Sequence, residues 1–87
     1  MAEPSLIDYP CDFPIKIMGR SGDDFTRDMV AVVLRHDPDF VAETVGIRAS
    51  RGGAYLSLTC TVRAVSRIQL DELYRELSAH PAVKIVL

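Results

Sequence analysis

The chain has 87 residues, enough for one domain with a thin core, because a chain of this size buries only about 60–65% of its extended surface. With 48% hydrophobic and 25% charged residues it reads as globular, and a formal net charge of -2 gives no general attraction to nucleic acid or to an anionic membrane. The opening "MAEPSLIDYP" has neither a basic n-region nor an apolar h-region, and no apolar run nears the ~18 residues of a membrane span, so the expected location is cytoplasmic.

Residues 1–12 read as an extended lead-in to the domain. Cys11 lies there beside Asp12, without the positive field that a reactive thiolate needs. "FPIKIMGR" then alternates as a strand, with Ile15 and Ile17 on one face and Lys16 and Met18 on the other. The period changes in "SGDDFTRDMVAVVLRHDP". Phe25, Met29, Val32, Val33 and His36 form a helical stripe, with Ser21 or Asp23 as the expected cap and Pro38 as the stop. Around "SRGGAY", Gly52 and Gly53 supply the turn of a hairpin. That turn sets Ile47 opposite Leu58, Val45 opposite Cys60, Arg48 opposite Ser57 and Thr44 opposite Thr61. "SRIQLDELYRELSAHP" opens with a capping box, Ser66 and Gln69, and carries Leu70, Leu73 and Leu77 as its stripe with Tyr74 beside it. In the closing "AVKIVL", Val83, Ile85 and Leu87 alternate with Lys84 and Val86.

Strand, helix, strand, strand, helix, strand is the split βαβ order. The expected fold is α+β, a ferredoxin-like βαββαβ sandwich: a four-stranded antiparallel sheet with two helices on one face, in one domain over residues 1–87. Leu56, Leu58, Cys60 and Val62 then face the helices, while Lys16, Met18, Ser57, Thr59, Thr61 and Arg63 face out.

"LIDYPCDFPIKIMG", "SRGGAYLSLTCTVRA", "LDELYREL" and "VKIVL" together resemble the YbeD-like family of small bacterial proteins. The resemblance spans nearly the whole chain. It implies a fold similar to the ACT regulatory domain, no established activity, and a link to lipoate metabolism through neighbouring genes.

An enzyme is not expected. Gly19, Arg20, Phe25 and Arg27 are similar to the phosphate loop of acylphosphatases, but Asp23 and Asp24 oppose an anion there and the chain has no asparagine to position a water. Cys11, Cys60, His36 and His80 lack the short paired spacing of a metal site, so neither metal nor cofactor is expected. Each histidine ends a helix, where its ring suits the dipole. An RNA surface needs aromatic residues on the central strands, and only Tyr55, at the edge, is aromatic there.

Two readings of function remain. One is a regulatory module that binds a small metabolite at the turn Gly19, Arg20, Ser21 and Gly22 or at a subunit interface. The other is an adaptor that meets an unidentified protein, or a second copy of itself in a homodimer, through a sheet edge or the outer face at Lys16, Met18 and Arg63.

Overall fold

The computed structural model describes residues 8–87. The chain runs through β1 (Cys11–Arg20), α1 (Phe25–His36), a short 3-10 turn (Ala42–Thr44), β2 (Gly46–Ala49), β3 (Tyr55–Ala64), α2 (Arg67–Ala79) and β4 (Val83–Val86). The four strands form one antiparallel sheet in the order β2-β3-β1-β4. This is the α+β, ferredoxin-like arrangement that the order of elements predicts.

The strand pleat decides which side chains reach the core. Ile15 and Ile17 of β1 and Leu58, Cys60, Val62 and Ala64 of β3 are wholly buried against the helices. They meet Phe25, Met29, Val32 and Val33 of α1 and Leu70, Leu73 and Leu77 of α2, the two stripes read from the helical period. Phe40, in the loop after α1, closes the same core.

Several local expectations are corrected. β1 starts at Cys11, not after residue 12, because Cys11 and Asp12 pair with Ala64 and Arg63 and lengthen the ladder. Residues 1–7 of the expected lead-in lie outside the described residues. Neither Ser21 nor Asp23 caps α1. The N-cap is Asp24, without a side-chain cap bond, and the Ser21 hydroxyl instead donates to the Gly53 carbonyl. Ser66 does cap α2, accepting from the Gln69 amide at 3.0 Å. Gln69 does not return the bond to Ser66. Its carbonyl oxygen accepts from the Val65 amide, and its amide nitrogen donates to the carbonyls of His36 and Arg63.

In the hairpin, Ile47 pairs with Leu58 and Arg48 with Ser57 as expected, and Gly52 and Gly53 take positive φ (139° and 77°) in the loop. The pairs expected for Val45 and Thr44 do not form. β2 stops at Gly46, and Thr44 turns back so that its amide and hydroxyl both donate to the Val41 carbonyl.

The largest difference lies in β4. Met18 pairs with Ile85 but Gly19 with Val83, so Lys84 is an extra residue in a bulge. The bulge shifts the alternation by one. Val83 and Val86 pack on the core, and Ile85 moves to the outer face. Leu87 follows it, exchanging both backbone hydrogen bonds with Lys16.

Candidate functional site

The turn after β1 is held by its own backbone. The Arg20 amide donates to the Ala82 carbonyl at 2.9 Å, and the Ser21 amide donates to the Ala54 carbonyl at 3.0 Å. Gly19 is buried, and a Cβ there would stand 2.5 Å from the Ala82 oxygen and 2.7 Å from the Phe25 ring. Close packing therefore accounts for this glycine. Gly22 is different: it is exposed, and a Cβ there would meet nothing within 4 Å. The turn is stitched to the β2–β3 hairpin on one side and to the start of β4 on the other. Two of its amide donors are already spent within the protein.

The outer face of the sheet is arranged in rows by the strand register. Arg48, Ser57, Met18 and Ile85 lie side by side across all four strands. The next row is Gly46, Thr59, Lys16 and Leu87. One half of the face is thus cationic and hydroxylated. The other half is an apolar strip, in which Met18, Ile85 and Leu87 are 37%, 46% and 59% exposed. Lys16 and Arg48 make no ion pair among the described residues.

Arg63 does not join this group. It lies four residues along β3 from Thr59, on the order of 13 Å at the usual strand rise. There its guanidinium pairs with Asp12 at 3.3 Å, and its backbone amide donates to the buried Asp37 carboxylate at 2.9 Å. Of the three outer-face residues picked from the sequence, the structure brings together Lys16 and Met18 only. Arg48 was legible from the hairpin register, which already sets it beside Ser57. Ile85 and Leu87 carried no such signal, because the bulge that turns them outward has no local mark in "AVKIVL".

Two cavities open on the cationic half. One, of about 240 Å³, is lined by Lys16, Gly46, Arg48, Ser57 and Thr59. The second, of about 160 Å³, is mostly apolar and adjoins Met18, Tyr55 and Leu56; Arg48 and Ser57 line both.

Several other polar groups tie elements together. His36 reaches Glu76 at 2.7 Å, and Arg35 pairs with the same carboxylate, tying α1 to α2. The His80 ring accepts from the Ala82 amide through Nδ1 and lies 3.0 Å from Asp28 through Nε2. Both histidines thus join elements, beyond any service to a helix dipole. Burial pushes the Cys60 thiol up to about 11 and raises the Tyr74 hydroxyl as well. Arg27, the residue similar to an acylphosphatase arginine, pairs with Asp24 at 2.8 Å. Among the described residues no group of three or more His, Cys, Asp and Glu could hold a metal ion, and no helix is long and apolar enough to cross a membrane.

The fold is that of an ACT-like α+β domain. The ACT domain of the GTP pyrophosphokinase of Chlorobium tepidum superimposes with a TM-score of 0.61 at 18% identity, covering 88% of this chain and 97% of that one. The H. pylori protein HP0495 superimposes with a TM-score of 0.71 at 16% identity, covering 98% and 88%. At such identities the likeness is one of fold. The chain itself belongs to the DUF493/UPF0250 family, the YbeD-like family of small bacterial proteins, described as "Protein of unknown function" and matched over residues 4–87. A UPF0250 protein of Nitrosomonas europaea is 56% identical over 87 residues, the full length of both chains. A UPF0250 protein of Bordetella pertussis is 56% identical over 85 residues, 98% of this chain and 93% of that one.

Proposed function

We propose that this protein is a non-catalytic regulatory module that works by binding a small ligand, as its ACT-like fold suggests. The observation that carries the reading is the outer sheet face, where Lys16 and Arg48 stand beside cavities without a carboxylate partner among the described residues. Cations left unpaired around a concave surface favour an anionic ligand. The turn Gly19–Gly22 is the secondary candidate; there the exposed Arg20 and Gly22 are the parts a ligand can reach. Lipoate, through the link implied by the family resemblance, is among the ligands to try first.

A second reading rests on the apolar strip of Met18, Ile85 and Leu87 at the β4 edge. Contiguous exposed apolar side chains beside an open strand edge suit an adaptor or a homodimer. A thermal-shift screen with metabolites, run against sedimentation and a lysate pull-down, separates the two. A ligand that raises the melting temperature supports the module; a stoichiometric partner without any ligand effect supports the adaptor.

A further inference from the structure

We infer that the outer sheet face takes a small organic anion with an apolar side, its charged head between Lys16 and Arg48 and its apolar part against Met18 and Tyr55. This assignment deepens the ligand-binding reading and rests on it.

The first support is the pairing of unlike cavities. The larger is bounded by an ammonium, a guanidinium and two hydroxyls, and the smaller by mainly apolar surface. Arg48 and Ser57 form the wall they share, so a head in one and a tail in the other belong to a single molecule. Side by side, the two reach the low end of the 300–1,000 Å³ typical of small-ligand sites. An arginine fork suits a carboxylate, and Ser57 and Thr59, half-buried at the floor, can donate to its oxygens.

The second support is Gly46. It sits in a strand, where glycine is unfavourable, and its φ is not in the positive region. A Cβ there would approach the Thr59 side chain at 3.6 Å, an ordinary contact. Nothing in the fold requires glycine at this position. What its bareness leaves is the cavity itself, and a strand glycine often marks the place where a ligand comes close.

The third support is charge. Neither row of the face across the four strands contains an acidic residue. The Asp12 carboxylate at the far end of β1 is engaged by Arg63. Among the described residues neither cation has an ion-pair partner.

Titration of isotope-labelled protein with lipoate and with indoleacetate, followed through backbone amide resonances, tests the assignment. Neutral indoleacetamide and inorganic phosphate serve as the tail-only and head-only controls. At least one of the two acids should move the amides of Lys16, Gly46, Arg48, Ser57 and Thr59 together with Tyr55. Each control should bind about tenfold more weakly, the amide for want of the charge-assisted contact and phosphate for want of apolar burial. Gly46→Val should fill the cavity and abolish these shifts while the remaining spectrum stays folded, and Arg48→Gln should weaken binding by about tenfold. Shifts confined to the Gly19–Gly22 turn, or binding indifferent to both substitutions, would overturn this site and leave the ligand-binding reading standing. No shift with either acid, together with a partner or second copy seated on the same face, would overturn both.

Discussion

At the residue scale, the two cysteines and the two glycines of the first turn each divide into an inward and an open member. Cys60 is wholly buried between sheet and helices, and Cys11 is half-exposed at the start of β1. Alkylation at neutral pH followed by mass spectrometry should modify Cys11 first and Cys60 only at the rate of unfolding. Because burial raises the Cys60 thiol from about 9 to about 11, the unfolded chain loses this proton first. Stability should therefore fall as pH rises through that interval, by up to about 1.4 kcal/mol per unit from this group. Urea titrations at graded pH on the wild type and Cys60→Ala will show it, the variant having the flatter profile. Gly19→Ala forces a methyl against the Ala82 oxygen and the Phe25 ring, and should cost about 1–3 kcal/mol by the same measurement. Gly22→Ala meets nothing and should lie within about 1 kcal/mol of the wild type.

At the scale of elements, α2 owes its start to two residues with different reach. Ser66 makes one cap bond, so Ser66→Ala should cost about 1 kcal/mol. Gln69 fastens three segments at once: its side chain takes the Val65 amide and gives to the carbonyls of His36, at the end of α1, and Arg63, near the end of β3. Gln69→Ala should therefore destabilise more than Ser66→Ala, since each partner loses a bond and half of this residue is out of water. Equal losses from the two substitutions in thermal or urea unfolding would contradict this. β4 shows the converse, an element whose faces are assigned by its partner strand. The single extra residue, Lys84, decides that Val86 packs inward and Ile85 outward.

At the scale of the whole molecule, the helices cover one side of the sheet and the other side carries both charge and apolar surface. Lys16→Glu with Arg63→Glu should leave stability nearly intact, each exposed change costing within ~0.5 kcal/mol. The two positions should nevertheless act differently on binding. Lys16 lines the cavity beside Arg48, whereas Arg63 is occupied by Asp12 at the other end of the face. Lys16→Glu alone should thus account for the loss of anion binding, and Arg63→Glu alone should leave it unchanged. Self-association, if sedimentation detects it, should respond instead to Ile85→Glu, which places a charge in the middle of the apolar strip.

The sequence by itself determined the order of elements, the two helical stripes and the inward set of β3, because these rest on short-range periods of 3.6 and 2.0. The run Leu56 to Val62 shows its own alternation, and Phe25 to Val33 its own spacing. The hairpin register followed as well, since two glycines fix which residues stand opposite, and that register already held Arg48 beside Ser57. Tertiary structure decided the rest. Whether Gly19 opens a ligand turn or closes a packed corner depends on Phe25 and Ala82, which reach it from another element. Whether Ile85 lies in the core or on the surface depends on a bulge between β1 and β4, strands separated by most of the chain. The cationic cavity, too, is assembled from three strands, and its corner is the absence of a side chain at Gly46. Local period reports how a segment lies; only the meeting of distant segments fixes what it faces.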